Sequence, residues 1–92
     1  IAVIEAEYNY TPVAFTNGDL RSEAGTNEGS CKIFYFAQLN DLSAEQTLAL
    51  FGQYYRVDVL ENPEGDDHGN IRNFINTGWQ GISFDGVALT KK

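Results

Sequence analysis

The chain has a single cysteine, a single histidine, two prolines and no methionine. One cysteine cannot close an internal disulfide, so no covalent staple holds the fold and a reducing compartment suits it. One histidine excludes the dense His/Cys ligand sets of structural zinc sites. Positive charge is also scarce, with 6 Lys+Arg against 13 Asp+Glu and a net charge of −7. Binding driven by phosphate neutralisation or by attraction to anionic lipid is therefore not expected, which excludes nucleic acid and membrane surfaces as partners. No apolar run approaches the roughly 18 residues of a membrane span. The first residues show no charged region followed by an apolar one, as a secretory signal would. Internal repeats and low-complexity tracts are missing too. Beginning at Ile1 and lacking methionine, the chain reads as a fragment whose natural N-terminal segment is missing.

What is present is the composition of a folded protein, 42% hydrophobic and 13% aromatic. A length of 92 residues predicts one domain, here residues 1–92, burying roughly 60–65% of its unfolded surface. Ile1, Ile4 and Tyr8 recur at helical spacing, while Ala2, Ile4, Ala6 and Tyr8 alternate as in a strand. Tyr10-Thr11-Pro12 ends that element, because the residue before proline is pushed out of the helical region. Asn17-Gly18 between Val13–Thr16 and Asp19–Ser22 predicts a tight hairpin. Ser30 predicts an N-cap, with Cys31, Phe34, Tyr35 and Gln38 on one face of the helix it opens. The run Ile33-Phe34-Tyr35-Phe36 also fits a buried strand.

Ser43-Ala44-Glu45-Gln46 is a capping box. The helix it starts, carrying Ala44, Leu48, Phe51, Tyr55 and Val59 on one face and Leu50, Tyr54 and Val57 on the other, is expected to be the central element, packed on two sides. Asn62-Pro63-Glu64-Gly65 predicts a turn. Asp66 or Asp67 then caps a short helix through His68 to Thr77, with Ile71, Phe74 and Ile75 inward and Gly78 at its end. Ile82-Ser83-Phe84 and Val87-Ala88-Leu89 around Asp85-Gly86 predict a second hairpin. The fold class is α+β: three to four helices packed on a small antiparallel sheet built from the two tight hairpins.

Few residues carry candidate chemistry. Cys31, expected in the first turn of a helix beside Lys32, has the setting that lowers a thiol pKa; the competing reading is a buried, inert side chain. His68 is the only histidine that could serve a Cys–His dyad, with Asp66 or Asp67 as its orienter. Its acidic, polar surroundings fit a solvated helix start equally. Asp66, Asp67, His68 and Asp85 are too scattered to read as a metal site, and no metal or cofactor is expected. The glycine-rich 25–32 loop lacks the spacing of a phosphate-binding Walker loop, since Ser30 and Cys31 stand between Gly29 and Lys32. Capture of a small anion at this helix start, with Ser30 and Lys32, remains open. Arg56, Arg72 and Trp79 are candidate anchors for a protein partner.

Several strings resemble one family. Tyr10-Thr11-Pro12, Ala14-Phe15-Thr16-Asn17-Gly18 and Gly29-Ser30-Cys31-Lys32-Ile33-Phe34 are similar to the HopJ type III effector family. So are Phe51-Gly52-Gln53-Tyr54-Tyr55-Arg56, His68-Gly69-Asn70-Ile71-Arg72-Asn73-Phe74 and Gly78-Trp79-Gln80-Gly81-Ile82-Ser83-Phe84-Asp85-Gly86. The resemblance covers nearly the whole chain. It implies a small bacterial α+β protein of unestablished biochemical function, without assigned catalytic residues. The expected role is a non-enzymatic protein-interaction module with a bacterial or host partner, in the bacterial cytoplasm or secreted into a host cell by a type III system. The alternatives are a small thiol-dependent enzyme using Cys31 with His68, or an anion binder at the 25–32 loop.

Overall fold

A computed structural model describes residues 2–65 and 68–92. Helix α1 (Ala2–Glu7) leads directly into strand β1 (Tyr8–Tyr10), so helical and extended readings of the first ten residues each hold for part of the segment. Strands β2 (Phe15–Asn17) and β3 (Leu20–Ser22) form the expected hairpin, with its turn one residue later than anticipated. Asn17 pairs with Leu20, and the two loop residues are Gly18 and Asp19. Gly18 has φ +63° while Asp19 stays outside the positive-φ region. That pattern matches a turn with glycine first, not one needing positive φ at both centres.

Helix α2 (Glu28–Leu39) begins two residues before the anticipated cap. Asn27 is the N-cap, at φ 51° and with no side-chain cap bond, so Ser30 lies inside the helix. The capping box at Ser43 is present: Ser43 Oγ accepts from the Gln46 amide at 3.1 Å and Gln46 Oε1 accepts from the Ser43 amide at 2.9 Å. The helix it opens, α3 (Ala44–Ala49), is however short. Amides of Leu50, Phe51 and Gly52 bond back to the third preceding carbonyl, and Gly52 then turns to φ +60°. Glycine adopts this conformation at no steric cost, and it ends the helix. The chain resumes as a π-helical segment, Tyr54–Val59.

The expected two-sided packing of this region is therefore corrected. Phe51 and Val59 are buried, but Leu50, Tyr54 and Val57 face solvent. The Asn62-Pro63-Glu64-Gly65 turn closes with a Gly65 amide to Asn62 carbonyl bond of 3.0 Å. The anticipated caps Asp66 and Asp67 lie outside the described residues. His68 occupies the N-cap position of α4 (Gly69–Thr77), and Gly78 closes the helix at φ +60°. Ile71 and Phe74 point inward as expected, whereas Ile75 is exposed.

A short 3-10 segment, Gly78–Gly81, delivers the chain to β4 (Ile82–Phe84), and β5 (Leu89–Lys91) follows. The α+β class holds, but β4 and β5 do not form a hairpin and the strands divide between two sheets. Strand β4 pairs antiparallel with β2 in a sheet of order β3-β2-β4, whereas β5 pairs with β1. The registers Phe15↔Phe84 and Tyr10↔Leu89 show why: each strand finds its partner in the N-terminal half.

Helix α2 is the central element. Phe34 is fully buried, with its ring 4.9 Å from Phe74, 5.4 Å from Phe51 and 6.2 Å from Phe15. Ile33 and Ala37 beside it are buried as well, so α2 is covered over a wide arc. Fully burying one such aromatic contributes about 1.5–3 kcal/mol. No described helix is long and apolar enough to cross a membrane.

Candidate functional site

Cys31 lies in the core. Its amide donates to the Asn27 carbonyl at 3.0 Å, the first bond of the helix ladder, so the thiol does not sit among the unpaired amides expected there. The side chain is fully buried and its Sγ approaches the Val13 carbonyl at 4.0 Å. Burial pushes the thiol above its ordinary value. Tyr10 lies close by, its hydroxyl buried beside Cys31 and Glu28. Burial first, then the neighbouring Cys31 and Glu28, raise this phenol well above its ordinary value. Lys32 turns elsewhere, pairing with Glu5 at 3.1 Å and lying over the Tyr10 ring.

His68 stands in a different environment. Its Nε2 is 3.0 Å from Asp58 Oδ2, and its ring lies on Tyr54 with centroids 5.0 Å apart. Cys31 faces Tyr10 and Val13 and His68 faces Asp58 and Tyr54, so the geometry does not assemble the anticipated dyad. Asp85, the other residue considered beside His68, is bound to Arg21, whose guanidinium holds its carboxyl below the ordinary value. No cluster of three metal-ligating side chains occurs among the described residues.

Of the remaining candidates, Arg72 and Trp79 hold the fold together. Arg72 donates to the Asn62 carbonyl at 2.8 Å and to the Asp58 carbonyl at 3.2 Å, clamping the π-helical segment to α4. Trp79 Nε1 donates to the Leu42 carbonyl at 3.0 Å while its ring packs against Phe74 and Phe34. Arg56 is exposed on the π-helical segment.

A concavity lies between the starts of α2 and α4. It is an open cleft of about 420 Å³. Asn27, Gly29 and Ser30 bring the first turn of α2 to it, and His68, Gly69 and Asn70 bring the first turn of α4. Ile33, Phe51 and Ile71 form its apolar side, and Tyr54 completes the lining. Two of the three described non-glycine residues with positive φ, Asn27 (51°) and His68 (50°), are the N-caps of these two helices. Such backbone gathers at functional positions. Neither cap side chain bonds its own helix.

Ser30 and His68 were legible in the sequence as candidates, and the structure brings both to this cleft. Asn27, Tyr54 and Asn70 were not. Their one local signal is that Asn27-Glu28-Gly29-Ser30 and His68-Gly69-Asn70 each place a small polar pair at a helix start. Nothing local shows that segments forty residues apart meet.

Comparison with known proteins gives a consistent picture. The family described as HopJ type III effector protein matches residues 1–89. A crystal structure of VPA0580, a protein of unknown function, superposes with a TM-score of 0.98 at 59% identity, covering 99% of this chain and 76% of that one. No curated protein sequence matches.

Proposed function

The chain belongs to the HopJ type III effector family, and on that premise we propose that it acts as a non-enzymatic protein-binding module. The observation that carries this reading is a set of large apolar side chains left exposed on the chain that follows α3. Leu50, Tyr54, Val57 and Leu60 are 44–58% exposed, and Ile75 on α4 lies beyond them. Leu60 and Ile75 share a groove of about 310 Å³ with Pro63. The apolar walls of this groove, left uncovered, fit a contact with another macromolecule. With Arg56 beside them, they offer the mix of aromatic, aliphatic and arginine groups that interface cores favour. The partner is a host protein if the chain is exported, and a bacterial cytoplasmic protein if it is not.

The test is site-specific photo-cross-linking from position 57, in bacterial and in host lysate, followed by the same reaction with the purified captured protein. A Leu60→Glu/Ile75→Glu double variant with an unchanged circular dichroism spectrum should lose the adduct. Retention of the adduct by that variant, or failure with the purified protein, overturns the reading. Fractionation of the native protein beside a cytosolic control then assigns the compartment.

A further inference from the structure

Resting on the protein-binding reading, we propose that the groove between the π-helical segment and α4 takes a short, leucine-bearing basic segment of the partner protein. Val59, Leu60 and Pro63 line it from the chain after α3, and Arg72, Ile75 and Asn76 line it from α4. Leu60 and Ile75 are 52% and 44% exposed, so both leave apolar surface for a partner to cover. At about 310 Å³ the groove admits a few side chains of a peptide and not a folded domain. Aliphatic anchors one helical turn apart are a recurring way for a peptide to fill such a groove.

Charge decides which peptide. Residues 33–71 hold seven Asp+Glu and a single cation, Arg56, which is six of the seven net negative charges of the chain. Five of those carboxylates fall between positions 58 and 67, the stretch that supplies Val59, Leu60 and Pro63 to the groove. Glu61 and Glu64 directly follow two of these lining residues and are exposed. Neither takes part in an ion pair among the described residues, whereas Asp58 is paired with His68. Arg72, the cation of the groove itself, is engaged with the backbone carbonyls of Asn62 and Asp58.

Exposed carboxylates beside an apolar groove favour lysine or arginine on the partner, next to its apolar anchors. Such complementary charges speed encounter and select the partner. The same carboxylates work against other occupants. A second copy of the chain would set its own acidic stretch against this one, and an acidic peptide would meet like charge.

Nitrogen-labelled full chain titrated with three synthetic peptides tests this. The first carries leucines one helical turn apart among lysines, the second the same leucines among glutamates, and the third the lysines with serine for leucine. The first should bind at least about tenfold more tightly than either of the others and shift the amides of Leu60, Ile75 and Asn76 saturably. Glu61→Lys/Glu64→Lys, at two exposed positions, should reverse the preference between the lysine and glutamate peptides. Glu61→Gln/Glu64→Gln should weaken the first peptide and serves if the reversed variant does not fold. Equal or tighter binding of the glutamate or serine peptide overturns the assignment. So do unchanged affinity in the folded variants, no saturable shift at these amides, and self-association through the groove seen by sedimentation. A protein captured from position 57 that Leu60→Glu/Ile75→Glu loses, but Glu61→Lys/Glu64→Lys holds equally well, would overturn the basic partner and leave the protein-binding reading in place.

Discussion

Asn17 shows how one buried polar side chain organises this molecule. It is fully buried on the central strand, and its Nδ2 ties β2 to the first turn of α4 through the Asn70 carbonyl. Asn73 returns the contact by donating to the Asn17 carbonyl at 3.0 Å. Asn17→Ala should lower stability by about 1–3 kcal/mol, because a buried carbonyl loses its donor and a small cavity opens. Urea unfolding of the two proteins measures this, and an unchanged midpoint would contradict it. Tyr10 and Cys31 set a pH dependence. Both have folded-state values raised above their ordinary ones, so both are held neutral. Their contribution is complete below the unfolded values, near pH 8.5 for a thiol and 10 for a phenol, and is lost as pH rises toward the higher folded values. The melting temperature should therefore fall as pH is raised above about 9. Tyr10→Phe should flatten that fall, because it removes the phenol whose ionisation burial opposes. The same burial should keep Cys31 from alkylation by iodoacetamide in the native protein at pH 8 until the chain unfolds.

Elements were legible where their determinants are local. Ser43 and Gln46 satisfy each other's neighbouring amides within one turn, so the start of α3 could be placed from four residues; Ser43→Ala should cost about 1 kcal/mol by thermal melting. Asn62-Pro63 and Gly78 were readable for the same reason, being backbone punctuation that works without tertiary help. The break after α3 was not, because a glycine inside a helical pattern fits either continuation or termination, and Gly52 takes the second. Ser30 misled for a related reason. It has the chemistry of a cap, but Asn27 takes that place, and Ser30 instead faces the cleft. The partners of β4 lie 65 to 69 residues away and those of β5 lie 79 to 83 residues away, beyond the reach of any local pattern. One close approach depends on this long-range pairing. The Gly18 amide donates to the Gly81 carbonyl at 2.9 Å, and a Cβ on Gly81 would come within 2.5 Å of Thr77 Oγ1 and 2.9 Å of the Gly18 nitrogen. Gly81→Ala should destabilise by about 1–3 kcal/mol, while Gly29→Ala, with open space around it, should not incur this clash. Equal melting temperatures for the Gly81 variant and the parent would refute the contact.

At the scale of the whole molecule, the question is whether two small sheets and their helices behave as one unit. The β1–β5 ladder joins the first and last strands, reinforced by a Lys92 amide to Glu7 carbonyl bond of 3.0 Å and a Thr11 amide to Ala88 carbonyl bond of 2.8 Å. A two-stranded ribbon is marginal in isolation. Here Leu89 and Ala88 bury its inner side against the same core that holds Phe34. Trp79 reports from elsewhere in that core, packed on Phe34 and Phe74 and bonded to Leu42. A domain of this size has a total stability of roughly 5–10 kcal/mol, so removing one buried leucine takes a large share of it. Leu89→Ala should lower stability by about 2–5 kcal/mol. If the core is continuous, Trp79 fluorescence and far-ultraviolet circular dichroism should move to the same lower midpoint, as two-state unfolding requires. A dichroism transition that shifts while the Trp79 transition stays in place would show that the terminal ribbon unfolds on its own and that the central sheet and α2 stand without it.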